Sequence, residues 1–176
     1  MTMIARNLSA VLNTLPEGVQ LVAVSKFHPI EALQQAYDAG QRLFGESRVQ
    51  ELTEKRRHLP ADICWHFIGH LQTNKVRQLI GKVDMIESVD SDRLLRLIDK
   101  ESAAAGVVTA VLLQVHVAAE ETKFGFLPDE LSEWFRSGGY TTLKATHICG
   151  LMAMASNTGD EERVRADFHA VAELMA

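Results

Sequence analysis

The chain is poor in cysteine, with two residues, Cys64 and Cys149, among 176. That is too few for a disulfide framework. Both fall in apolar, strand-like runs, where a free thiol behaves as a small hydrophobe, and the expected compartment is the cytoplasm. Long apolar runs are missing as well. Stretches such as Leu21–Val24 and Ala110–Leu113 fall far short of the ~20 residues that a membrane-spanning helix needs, so no membrane association is expected. The opening residues, MTMIARNLSAV, lack the continuous apolar core of a signal peptide. Basic charge is scarce too: 18 Lys and Arg stand against 23 Asp and Glu, for a net charge of −5. With no basic stripe to reverse that balance, nucleic acid is not an expected partner. No linker, low-complexity tract or shift of composition divides the sequence, so residues 1–176 read as a single domain. With 47% hydrophobic and 23% charged residues, the composition is that of an ordinary globule.

What is present is an alternation. Short apolar runs without polar alternation lie at Leu21–Ser25, Cys64–Gly69, Met85–Val89, Ala110–Ala118 and His147–Ala155, with Leu43-Phe44-Gly45 a shorter candidate. Strands covered by helices on both faces read this way. Amphipathic stretches lie between them. Residues 2–15 place Ile4, Leu8, Val11, Leu12 and Leu15 on one face. Pro29 suits a first helical turn and Gly40 a stop. Ser47 with Gln50 has the spacing of a capping box. Thr73, Ser91 and Thr158 are expected N-caps, and Pro128 opens another helix. The pattern is an N-terminal helix followed by six strand–helix units. On strand count alone, six strands fit an open doubly wound sheet better than a closed eight-stranded barrel.

Lys26 is the most informative candidate. It follows Leu21-Val22-Ala23-Val24-Ser25 directly, at the carboxyl end of the first strand, where parallel α/β folds build their sites. Strand alternation places Val22, Val24 and Lys26 on one face, so Lys26 extends a row of two expected buried valines. An amine that loses hydration there favours its neutral form, which attacks aldehydes. A solvated lysine opening a loop has the same position, and position alone favours that bland reading. His66 and His70 are four apart, but they fall on a strand and its turn, and no Glu follows His66. His66, His116 and His147 read as core histidines, with a metal site the weaker alternative. Lys123, beside Glu120 and Glu121, is a second candidate amine but reads first as a solvated loop lysine. Met152 and Met154 share a strand face and read as core.

The wording of the chain narrows this further. LVAVSKFHP, FGESRVQE at Phe44–Glu51, WHFIGHLQTNK at Trp65–Lys75, ETKFGF at Glu121–Phe126 and GLMAMA at Gly150–Ala155 together resemble the YggS/PROSC-type pyridoxal phosphate homeostasis proteins. The resemblance spans residues 19–157. It implies an N-terminal helix and an α/β fold of the TIM-barrel type, like the barrel domain of alanine racemase, with six of its eight βα units in this chain. It also implies pyridoxal 5′-phosphate (PLP) as cofactor, held as a Schiff base on Lys26. Apo forms of PLP-dependent enzymes would be candidate recipients, and a monomer is the expected state. Ser47 stands where many members have asparagine, so its contact with the cofactor is an open point, weighed equally against the N-cap. Met152 occupies a family position that lines the site. The family's S-M-G-M-S and V-R-I-G motifs, which hold the phosphate and face the pyridine ring, do not occur in residues 1–176. Two further strands carrying them are expected beyond Ala176. No G-x-G-x-x-G or Walker loop replaces them.

Three functions compete on these grounds. A PLP-binding homeostasis protein without turnover fits best. A PLP-dependent amino-acid racemase needs acid/base groups on both faces of the cofactor. The only tyrosines, Tyr37 and Tyr140, sit in a helix stripe and a Gly-rich turn rather than at strand ends. A barrel metal hydrolase would call for clustered His and Asp at strand ends, where Lys26 stands instead.

Overall fold

The computed structural model describes residues 2–118 and 124–175. These fall into two compact units, Met1–Gly69 and His70–Ala176. The first contains α1 (Met3–Leu12), β1 (Ala23–Val24), α2 (Ile30–Asp38), β2 (Leu43–Glu46), α3 (Val49–His58) and β3 (Cys64–Phe67). The second contains a 3-10 turn at Thr73–Lys75, α4 (Val76–Leu79), β4 (Met85–Val89), α5 (Asp92–Ala105), β5 (Thr109–Val115), α6 (Pro128–Arg136), β6 (Thr146–Ala153) and α7 (Glu161–Leu174). All six strands expected from the apolar runs are present, including the short β2.

In the first unit β1 pairs with β2, and β2 with β3, all parallel. The register sets Phe44 beside Trp65 and Glu46 beside Phe67. Paired residues of a parallel sheet share a face, so this face is the core. Phe44, Trp65 and Phe67 are buried with Leu33 of α2 and Leu52 of α3, and the Phe44 and Trp65 rings lie 5.9 Å apart. In the second unit β5 pairs with β4 and β6, again parallel. Ile86, Val89, Val111, Leu113 and Val115 are buried with Leu95 and Ile98 of α5 and Leu131 of α6.

The expectation that every strand is covered on both faces fails at β1 and β6. Val24, expected to be buried, is 52% exposed, whereas its neighbour Ser25 is 3% exposed. In β6, His147 and Cys149 are exposed. Cys64 is exposed too, at the first position of β3. Aliphatic composition marked these segments as strands, but the packing of one face only shows in three dimensions.

Caps followed the sequence in part. The Ser91 hydroxyl accepts from the Leu94 amide, 3.4 Å away, at the start of α5, and Pro128 occupies the first turn of α6. The Ser47 capping box does not form: the N-cap of α3 is Arg48, with no side-chain cap. Thr73 lies inside the 3-10 turn instead of capping a helix, although Val76 and Leu79 of α4 are buried. At α7 the cap is Asp160, whose carboxylate accepts from Glu162 N and Arg163 N. One carboxylate oxygen satisfies two of the free N–H groups of the first turn, while the Thr158 hydroxyl accepts from Asp160 N instead. No helix among the described residues is long and apolar enough to cross a membrane.

Candidate functional site

The turn that carries Lys26 follows β1 directly, and it is tied down on both sides. The Ser25 amide donates to the Gly45 carbonyl at 2.9 Å, continuing the β1–β2 ladder. The Ser25 hydroxyl donates to Glu46 Oε1 at 2.7 Å. Lys55, from α3, donates to the Ser25 carbonyl at 2.8 Å and to Glu46 Oε1 at 2.6 Å. Glu46 is fully buried and Lys55 nearly so. Their charges therefore compensate each other away from water, the condition under which such a pair is tolerated.

On the other side of Lys26, Phe27 adopts a left-handed backbone with φ of 65°. That region is uncommon for a bulky residue and costs on the order of 1–3 kcal/mol. Its amide donates to Glu51 Oε2 at 2.9 Å, and Lys55 reaches the same oxygen at 3.3 Å. The guanidinium of Arg48 lies over the Phe27 ring, 4.5 Å from its centre. The hydrogen bond from the Phe27 amide, aided by Lys55 and Arg48 and opposed by partial burial, holds the Glu51 carboxyl below its ordinary pKa. Lys26 itself is exposed.

Ser47 is half-buried, immediately after β2. A Cβ added to Gly69 would come within 2.4 Å of the Ser47 carbonyl oxygen and 2.7 Å of its Cα. Only glycine allows the loop after β3 to lie against the Ser47 backbone, a physical reason for the glycine of WHFIGH. Gly45, opposite Val24 in the register, has Val22 and Ile68 methyls 3.0 Å from where its Cβ would be. Glycine at position 45 therefore leaves room for the Val22 and Ile68 methyls on that face of the sheet.

Met152 lies in the second unit. It is half-buried and stands opposite Gln114 in the β5–β6 register. The buried Gln114 amide donates to the Phe124 carbonyl at 2.9 Å and so fixes the start of the segment after residue 123. His70 sits in the same unit, its Nδ1 3.0 Å from Asp90 Oδ2 and its ring stacked on Phe124 at 3.8 Å. The loop after β6 is anchored by buried Asp167, which accepts from the Ser156 amide at 2.7 Å and pairs with Arg163 at 3.0 Å. The Ser156 amide is the main reason that the Asp167 carboxyl lies below its ordinary pKa.

Of the other candidates, Lys123 lies outside the described residues. His66 and His116 both engage neighbours, and His147 is exposed. Among the described residues no group of three or more His, Cys, Asp or Glu is placed to hold a metal ion. The Tyr37 hydroxyl donates to Asp62 at 2.7 Å, and Tyr140 sits in the turn Gly139–Thr142. Neither tyrosine stands at the carboxyl end of a strand. The sequence reading missed Glu46, Glu51 and Lys55. Two signals were available: an acidic residue ending a buried strand run, and a Glu–Lys pair at i,i+4 on the next helix.

Comparison with known proteins agrees with the fold. The family model described as the alanine racemase N-terminal domain matches residues 1–176. Alanine racemase from E. faecalis superposes with a TM-score of 0.78 at 20% identity, covering 98% of this chain and 48% of the racemase. At that identity the likeness concerns fold alone, and it makes the architecture the barrel-type parallel β/α fold in place of the open doubly wound sheet favoured by strand count. PipY of Synechococcus elongatus PCC7942 superposes more closely. The TM-score is 0.91 at 36% identity for its structure without PLP, covering 98% of this chain and 80% of PipY. For the structure with PLP bound it is 0.85 at 35% identity, covering 98% and 82%. The pyridoxal phosphate homeostasis protein of Aquifex aeolicus (strain VF5) is 40% identical over 157 residues, 88% of this chain and 68% of that protein. The chain belongs to the family of pyridoxal phosphate homeostasis proteins.

Proposed function

We propose that this chain binds PLP covalently through Lys26, as a Schiff base, and serves intracellular PLP homeostasis without catalytic turnover. The carrying observation is an exposed primary amine at the carboxyl end of β1, on a turn whose two neighbouring residues are both anchored. The residues present fit an aldehyde cofactor: the Lys26 amine is exposed, and the buried carboxylate at the end of neighbouring β2, Glu46, is taken up by Ser25 and Lys55. PLP, when bound, supplies an aldehyde. The Lys26 nitrogen bonds to its carbon, the carbonyl oxygen leaves as water, and no oxidant or reductant is consumed. PipY, a relative at 35% identity, has been seen with PLP bound, and this supports the same ligand here.

Ser47, at the family's asparagine position, is proposed to offer its hydroxyl to the cofactor. Met152 is proposed as a cofactor-facing residue on its family position alone. A monomer in the cytoplasm, with apo PLP-dependent enzymes as recipients, completes the reading. Turnover as a racemase is disfavoured by the tyrosines, which stand away from strand ends.

The test is spectroscopic. Protein mixed with PLP should show a visible imine band that borohydride abolishes, and Lys26→Ala should lose the band while keeping its melting temperature. A borohydride-sensitive adduct retained in Lys26→Ala would move the site elsewhere, with Lys123 next to examine. Alanine racemisation by pure protein, lost in the same variant, would make the chain an enzyme.

A further inference from the structure

We infer that Glu51 is a positioning residue for Lys26, acting through the strained turn between them. This rests on the proposed role of Lys26 and goes beyond it by assigning a second residue to the site. Three observations converge. Phe27, the residue after Lys26, holds a left-handed backbone with φ of 65°, a conformation that persists only where its surroundings impose it. The anchor that imposes it is the 2.9 Å hydrogen bond from the Phe27 amide to Glu51 Oε2. Glu51 is itself held from α3 by Lys55, at 3.3 Å, and Lys55 also grips the carbonyl of Ser25, the residue before Lys26.

One ammonium thus links the two residues that flank the reactive lysine. The backbone of Lys26 is fixed from both sides although its side chain is exposed. A free lysine on a loose turn would have to be ordered each time it met an aldehyde, and that ordering lowers affinity. A lysine on a clamped turn has lost that freedom beforehand. The Arg48 guanidinium over the Phe27 ring acts in the same direction from the solvent side.

Glu51 is the member of the network to vary, because it is partly exposed and its loss strands no fully buried charge. Glu51→Ala removes the anchor. Glu51→Gln keeps an amide oxygen that can accept from Phe27. Each is titrated with PLP and with pyridoxal, which lacks the phosphate, following the imine band, visible circular dichroism of the bound chromophore, and melting temperature.

Glu51→Ala should weaken binding of both aldehydes by at least about tenfold, as expected for loss of a charge-assisted hydrogen bond. It should also flatten the visible dichroism, which depends on a fixed chromophore, with only a modest fall in melting temperature. Glu51→Gln should recover most of both signals. Amide exchange at Phe27 should quicken in Glu51→Ala and not in Glu51→Gln. Wild-type affinity and dichroism in Glu51→Ala would overturn the inference, as would equal losses in the two variants. If wild-type protein itself forms no imine, the reading of Lys26 fails and this inference falls with it. A normal wild-type band with an unaffected Glu51→Ala removes this inference alone.

Discussion

The two units secure the loops after their strands by different means. In the first unit the loop after β1 is held by charges taken out of water: Glu46 and Lys55 are buried as a pair, and Glu51 joins them at the edge. In the second unit the loop after β6 is held by one carboxylate, Asp167, on a backbone amide with a half-exposed arginine behind it. The segment beginning at Phe124 is held by the neutral amide of Gln114 and by the stack of Phe124 on His70. The difference teaches what each loop has to do. The first must keep a strained residue in place beside an exposed lysine, and directional, charge-assisted bonds do that better than apolar contact. The segment after residue 123 instead bends at Gly125, with φ of 142°, which glycine adopts without strain.

The largest effect should come from breaking the first arrangement. Lys55→Met leaves Glu46 buried without its cation, and one Glu46 oxygen already lacks a hydrogen-bond partner among the described residues. The expected loss is about 3–5 kcal/mol, read as a shift of the denaturant midpoint. Glu46→Gln combined with Lys55→Met should lose far less, since neither partner is then left charged. Equal losses in the single and double variants would show that the pair stabilises through packing and not through charge compensation.

A smaller effect is expected from the second arrangement. Asp167→Ala strands the buried Ser156 amide, at a cost of about 1–3 kcal/mol. The same carboxylate makes stability depend on pH. Its pKa is depressed in the folded chain, as is that of Glu51. The stability each contributes is therefore complete above the unfolded values of about 4 and is lost as pH falls through the lower folded values. Acid titration of the midpoint should show a decline starting near pH 4 that is shallower in Asp167→Ala. An unchanged acid limb would place the linkage in other carboxylates.

Smallest of all should be Ser91→Ala at the start of α5. The hydroxyl accepts one amide at 3.4 Å, so a cost of about 1 kcal/mol or less is expected. A loss matching that of Asp167→Ala would mean that the cap fixes more than the first turn of its helix.

Much of this molecule is legible in one dimension. The aliphatic runs located all six strands, since a segment hydrophobic at consecutive positions cannot satisfy one side of a helix and the solvent at once. Pro128 and Ser91 marked helix starts through their own backbone chemistry. Ser47 and Thr73 misled for a related reason: a hydroxyl three residues ahead of Gln50 or Val76 caps a helix only if the chain turns there. At Ser47 the chain is occupied in lying against Gly69.

What the sequence determined alone is the order of elements, the family, and the place of Lys26 at the end of a strand, because these follow from local spacing and from motifs that keep their order along the chain. What the tertiary structure decided is how that lysine is held. Glu46, Glu51 and Lys55 lie 20, 25 and 29 positions beyond Lys26, and nothing in their spacing says that α3 will bring an ammonium to the carbonyl of Ser25. That meeting depends on the parallel pairing of β1 with β2 and on α3 packing against the same sheet. It places Glu46 and Lys55 where water cannot screen them, with Glu51 at their edge, and leaves them one another and the turn to bind.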